Sequence, residues 1–339
     1  MLLYRLNGEA HRRFDRCILL GLENGAEDIV ANTHSSLGGA SVPFSWAKAG
    51  PAIGTSANKI PIMEALNFEK VFNKNMRGIV TCAGGPLYFL NAYINCYRLR
   101  LLGCQLPIEW FYLGNEMETE WIPVAEKIEG VHLINLGGTR KIYDREFGGW
   151  QSKIEAIISS SFEEILWLDA DCFPLRDPAY LFDHPFYTET GAVLFPDQCS
   201  WNIKELENLR HTFHVPTLPT LQVEGGQMMF NKSRCMAGLE AARKLNRNSD
   251  ETYRVLDGDK DTFMVGMFQA GCDFRVNPHL SDSPLMGVVH KDFDGQQLFL
   301  HAMGTKFRWD FPIQVFRLPT PPIIDIPQLM SDLKVKLNL

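Results

Sequence analysis

From residue 77 onward, short unbroken apolar runs alternate with longer stretches whose apolar residues recur at helical spacing. A short apolar run closed by a breaker reads as a strand buried on both faces. Such runs predict strands at 78–82, 108–113, 131–136 and 165–169, with helices at 87–102, ended by Gly103, and at 151–160. This alternation builds βαβ units. The expected fold class is α/β: a mostly parallel, Rossmann-like central sheet with helices on both faces through right-handed crossovers. After residue 171 the order loosens, with strands expected at 191–195, 227–231, 288–291 and 298–301 and helices at 232–245 and 261–270.

The flanks read differently. Gly and Pro punctuate residues 1–76, where a helix is expected at 61–73 inside an N-terminal extension with no legible role. Pro312 and Pro319-Thr320-Pro321-Pro322 mark a linker, followed by a short amphipathic helix at 326–337. The expected parts are therefore 1–76, a main domain at 77–310, and a C-terminal linker and helix at 311–339.

The strand at 165–169 carries the most informative chemistry. Ile165-Leu166-Trp167-Leu168 runs straight into Asp169 and Asp171, and Pro174 follows. Ligands of open α/β sheets gather at the carboxyl ends of such strands. Side chains at i and i+2 of an extended segment point the same way, so two carboxylates would face one spot. Paired oxygen ligands there suit Mn²⁺ or Mg²⁺, cations that also hold substrate phosphates. The Asp-x-Asp spacing alone is cheap, recurring at Asp257/Asp259, Asp259/Asp261 and Asp292/Asp294, where a solvated turn explains it.

Composition narrows the classes. With 40 acidic and 33 basic residues the net charge is −7, which argues against nucleic acid held by bulk positive charge. The eight cysteines include no Cys-x-x-Cys pair, which argues against a zinc framework. No sustained apolar segment reads as a signal peptide or a bilayer span, so the expectation is a soluble protein with free thiols in a reducing, cytoplasmic setting.

Other segments carry candidate ligand contacts. Ala83-Gly84-Gly85 joins a strand to a helix start and would let a nucleotide or phosphate approach backbone N–H groups, although a plain tight turn explains it too. Lys153 is a possible point charge for a diphosphate or sugar, or else a surface lysine. Glu224-Gly225-Gly226-Gln227 precedes an apolar run, where Gln227 offers both a donor and an acceptor to a sugar, or the glycines form a structural turn. Gly258-Asp259-Lys260-Asp261 sits at a helix start, where Asp259 also suits an N-cap. Leu298-Phe299-Leu300 ends in His301, a possible Mn²⁺ ligand, with Lys306 close behind.

Together these segments resemble family 71 glycosyltransferases, the group of the fungal α-mannosyltransferases. The matching stretches run in the family's order over roughly 77–310: 78–85, 91–114, Trp150-Gln151-Ser152-Lys153, Leu168-Asp169-Ala170-Asp171, 224–232, Gly258-Asp259-Lys260-Asp261-Thr262-Phe263 and 298–301. His301-Ala302-Met303-Gly304-Thr305-Lys306 is also similar to a segment of glycogenin-like enzymes, with the lysine one residue earlier. The resemblance implies a GT-A fold, a sugar-nucleotide donor (GDP-mannose above others), Mn²⁺ or Mg²⁺, a glycan or other hydroxyl acceptor, and retention of the α configuration. It places Asp171 and His301 as metal ligands, with Asp169 sharing the metal or holding the ribose. Ala83, Gly84, Gly85, Lys153 and Lys306 would contact the donor, and Gln227, Asp259 and Asp261 the sugar and acceptor side. The rival expectations are a glycogenin-like transferase of a UDP-hexose and a non-catalytic sugar-nucleotide or glycan-binding module.

Overall fold

The computed structural model describes residues 73–114, 116–137, 149–256, 258–282, 287–303, 306–310 and 325–339. The expected linker at 311–324 lies outside these residues, and so does the expected helix at 61–73 except for Asn73, which opens a strand.

In chain order the elements are β1 (Asn73–Cys82), α1 (Gly85–Leu101), β2 (Ile108–Tyr112), α2 (Ile122–Ala125), β3 (Val131–Asn135), α3 (Ser152–Ser159), β4 (Phe162–Leu168) and β5 (Cys172–Pro174). There follow α4 (Pro185–Thr188), β6 (Ala192–Ser200), α5 (Ile203–Phe213), β7 (Leu221–Asn231), α6 (Lys232–Arg247), α7 (Ser249–Val255) and α8 (Lys260–Ala270). The last are β8 (Arg275–Val276), β9 (Val288–Lys291), β10 (Gln297–His301) and α9 (Ile326–Leu337). One sheet runs in the order β3-β2-β1-β4-β7-β6-β8, and a smaller sheet runs β5-β10-β9. The pairs β3/β2, β2/β1, β1/β4 and β6/β8 are parallel, whereas β7 runs antiparallel to both β4 and β6. The α/β class and the mostly parallel sheet follow the sequence pattern.

The unbroken apolar run of β4 has a direct cause. It lies between β1 and β7 with a core on each face. Leu166 and Leu168 pack with Ile79, Phe89, Leu90 and Trp110, while Ile165 and Trp167 pack with Val80, Ile157, Phe230 and Phe263. Alternate residues thus serve opposite cores, and no position is left for a polar side chain. Each fully buried side chain of this size contributes about 1.5–3 kcal/mol from the area removed from water.

The strand β1 begins earlier than its apolar run, because Arg77 is held at the sheet margin by ion pairs to Glu164 at 3.4 Å and Asp183 at 2.6 Å. α1 is buried nearly all round, and its inward polar residues are all partnered. Asn91 donates to Phe307 O at 3.0 Å, Asn95 donates to Cys172 O at 2.9 Å and Asp169 O at 3.2 Å, and Arg98 donates to Pro174 O at 2.6 Å. This stripe ties the helix to the segment that carries the two aspartates.

Two strands depart from the expected pattern near that segment. Pro174 was expected to stop the apolar run, yet Cys172–Pro174 forms β5, which pairs antiparallel with β10 so that His301 lies opposite Cys172. The glycines at 225–226 were expected just before a strand, as a point of close approach for a ligand or backbone or as a structural turn, yet β7 runs through them. Against β6, Leu194 pairs with Met228 and Phe195 with Glu224, so residues 225–227 bulge out on that side. On the other side Gln227 stays opposite Leu168, and Gly226 O accepts from Asp169 N at 2.8 Å. The C-terminal helix forms at the expected residues and buries Ile326, Met330, Leu333 and Leu337 against the first core.

Candidate active site

Asp169 and Asp171 leave β4 at its carboxyl end, and His301 ends β10. The register of β5 on β10, together with the bond from Ala302 N to Asp171 O at 2.9 Å, brings these distant segments together. His301 Nε2 lies 3.6 Å from Asp171 Oδ1 and 3.9 Å from Asp169 Oδ2. One ligand atom from each of the three lies within 4.8 Å of the others. Two carboxylate oxygens and one imidazole nitrogen form a donor set that suits Mn²⁺ or Mg²⁺. Asp171, only 4% exposed, is a carboxylate that needs positive charge beside it. The residues therefore fit a divalent cation.

The surrounding cations are inside the site. Lys153 is 8% exposed, which excludes the surface-lysine reading. Its Nζ lies 3.1 Å from Asp169 Oδ1 and 3.1 Å from Asp259 Oδ2, and it donates to Gly225 O at 2.8 Å. Burial works against its charge, but the two aspartates outweigh burial and keep the ammonium firmly protonated. Trp167 Nε1 donates to Asp169 Oδ1 at 2.9 Å, fixing that carboxylate from its own strand. Lys306 Nζ lies 2.6 Å from Asp171 Oδ2, which puts the lysine in the cluster despite its shifted spacing.

These pairings sort the protonation states. Burial pushes the Asp171 carboxyl upward, but His301 and Lys306 pull it well below the usual carboxylate range. For Asp169 burial dominates over Lys153 and His301, and its carboxyl is pushed up. Burial disfavours a charged His301, yet Asp171 and Glu224 raise it to about 10. Metal-free, the ring is therefore an imidazolium at neutral pH.

The remaining expected contacts divide. Gln227 is fully buried beside the cluster. Its Oε1 accepts from Cys172 Sγ at 3.2 Å, and its Nε2 has no hydrogen-bond partner among the described residues. Asp259 is placed by Lys153. Asp261, expected on the sugar side, is instead turned inward: it is fully buried, accepts from Val223 N at 3.0 Å and lies 3.5 Å from Lys260 Nζ. It ties α8 to β7. The Ala83-Gly84-Gly85 loop also departs from expectation, because it is not an open cradle of donors. Ala83 N donates to Phe111 O at 2.9 Å and Gly85 N to Glu116 O at 2.5 Å, and a Cβ on Gly84 would lie 2.3 Å from that of Glu116. The glycine makes room for Glu116.

Sequence reasoning missed three neighbours. Glu224 was visible only as part of a glycine turn, yet its Oε1 lies 3.1 Å from His301 Nδ1. His290 lies beside both, and burial lowers it to about 4, so it is neutral. Asn95 supports the aspartate segment from α1. Glu224 and Asn95 lie inside stretches that carry the family resemblance, but no motif gives them or His290 a role, since each meets the cluster only through the tertiary fold. Among the described residues the cysteines are free thiols, and no helix is long and apolar enough to cross a membrane.

The chain has relatives among known proteins. Residues 76–214 and 204–297 match the family described as "Mannosyltransferase putative". The α-1,2-mannosyltransferase MNN2 of Saccharomyces cerevisiae is 28% identical over 243 residues, covering 58% of this chain and 40% of the yeast protein. MNN21 of Candida albicans, also an α-1,2-mannosyltransferase, is 33% identical over 283 residues, covering 66% of this chain and 42% of its own. The chain thus spans about two-fifths of the length of these curated relatives. Among solved structures, the bifunctional glycosyltransferase WbbM aligns at 13% identity and a TM-score of 0.41, covering 60% of this chain and 39% of that one. With a family match over most of its length, the chain belongs to the family 71 mannosyltransferases.

Proposed function

We propose that the protein transfers mannose from GDP-mannose to a hydroxyl of a glycan acceptor, with retention of the α configuration and dependence on Mn²⁺ or Mg²⁺. The observation that carries this reading is the convergence of Asp169, Asp171 and His301 at the carboxyl end of β4, between the buried Lys153 and the half-buried Lys306. Asp171 and His301 would hold the cation, with Asp169 as a third ligand or as the partner of the donor ribose. What a bound cation supplies is positive charge against the departing diphosphate, so no protein acid is needed to protonate it.

The chain's own residues do the rest. Lys306 adds positive charge on the Asp171 side, where donor phosphates would lie. Lys153 holds Asp169 and Asp259 in fixed places and keeps their charges compensated. The unpartnered Nε2 of Gln227, buried beside the cluster, would donate to a sugar hydroxyl or ring oxygen. Orientation of the acceptor hydroxyl falls to Asp259 and Gln227, since Asp261 is engaged by the backbone.

The test is a sugar-nucleotide screen with Mn²⁺, read as released GDP or UDP. GDP release from GDP-mannose, abolished in Asp171→Asn with the fold retained by circular dichroism, is the expected result. Release from UDP-glucose or UDP-galactose but not from GDP-mannose would overturn the donor assignment. Full activity in EDTA would remove the cation.

A further inference from the structure

We propose that Glu224 is a positioning residue. It takes the Nδ1–H of His301, and so fixes the tautomer and ring orientation that leave Nε2 for a cation shared with Asp169 and Asp171. The proposal rests on the metal-binding reading above and adds a residue to it.

Three observations carry it. The two nitrogens of His301 face different partners: Nδ1 lies 3.1 Å from Glu224 Oε1, at ion-pair distance though not in hydrogen-bond alignment, and Nε2 faces Asp171 and Asp169 at 3.6 and 3.9 Å. The carboxylate is itself held, because the same Oε1 accepts from Gly225 N at 3.0 Å and Gly226 N at 3.1 Å inside the bulge of β7. The ring has one place to sit, because it packs on bare backbone where a Cβ on Gly226 would lie 2.6 Å from Nδ1. A histidine ligand whose second nitrogen bonds a carboxylate has a defined tautomer and a more basic free nitrogen, an arrangement worth about 10–100-fold in metal affinity. Glu224 is fully inside the protein, so its placement is not a rotamer of convenience.

The experiment measures Mn²⁺ affinity by electron paramagnetic resonance on the full chain, without donor, for wild type, Glu224→Gln, Glu224→Leu and Asp171→Asn, with melting temperature as the folding control. Compared at a pH high enough that the ring is neutral in every variant, Glu224→Leu should weaken Mn²⁺ by about 10–100-fold. Glu224→Gln should lose less, because an amide oxygen still accepts the Nδ1–H. In turnover, Glu224→Gln should raise the Mn²⁺ concentration needed for half-maximal rate and recover most of kcat at saturating Mn²⁺, which a merely structural role would not produce. Wild-type affinity in both Glu224 variants, with binding lost in Asp171→Asn, would overturn the role of Glu224 alone. No Mn²⁺ binding by folded wild type would overturn the metal reading beneath it. A second Mn²⁺ equivalent lost in Glu224→Leu while the first is kept would make Glu224 a direct ligand with His290, and would also overturn the proposal.

Discussion

The pH dependence of cation binding can be worked from the site. The metal-free His301 is buried against Asp171 and Glu224, which hold its pKa at about 10. A cation that binds Nε2 must displace the proton there. Near pH 7 the neutral ring is then on the order of one molecule in a thousand, a cost of about 4 kcal/mol at 1.36 kcal/mol per unit. The sign follows: apparent Mn²⁺ affinity rises with pH, about tenfold per unit, until it levels near the ring's own pKa. A step from about pH 6.5 to about pH 8 should tighten Mn²⁺ roughly thirtyfold. The assay is a Mn²⁺ titration of donor-free protein by electron paramagnetic resonance. Paired with it is calorimetry in two buffers of different ionisation enthalpy, which counts protons released. About one proton per Mn²⁺ is expected. Affinity flat over that range, with no proton released, would refute both the ionic state of His301 and its place in the cation's shell.

Other outcomes follow from the same contacts. Lys153→Met leaves the half-buried Asp169 and the buried Asp259 without their shared cation, and should lower stability by at most about 3–5 kcal/mol in denaturant titration. Gly226→Ala places a methyl where the imidazole sits, so Mn²⁺-dependent turnover should fall at least tenfold while the melting temperature falls only a few degrees. Without metal, the ion pairs of His301 stabilise the fold fully below about pH 6.5 and are lost as pH rises toward 10, so the melting temperature should decline over that window. Asp171 and Glu224, both depressed, act in the opposite sense: their contribution is present above about pH 4 and lost as pH falls below it.

Much of the scaffold is legible in the chain because burial on two faces leaves a mark. β4 reads as an apolar run since both its neighbours and both its cores demand it. The C-terminal helix reads from its amphipathic spacing. Asp169 and Asp171 read from the strand they end, not from their spacing. What stayed illegible depends on who sits opposite whom. β5 is too short to show a period, and its pairing with β10 is a register across most of the domain. The bulge in β7 hides behind two glycines that resemble a turn. Asp261 resembled Asp259 in sequence, yet a step of two residues, about half a turn of helix, aims it at the Val223 backbone. Glu224 differs from any other glutamate only once His301 is known to lie above it.

The small sheet has a consequence for how the site opens and closes. Asp171 and His301 are joined through three residue pairs between β5 and β10 rather than through the large sheet. A ligand that bridges them acts as a clasp between two short strands whose apolar residues are otherwise held by the first core. Amide hydrogens of β5, β9 and β10 should therefore exchange with solvent sooner than those of β4 in the empty protein, and slow together once cation and donor are bound. Occupancy of the site would then be written in the protection of a sheet that touches the ligand only at its edge.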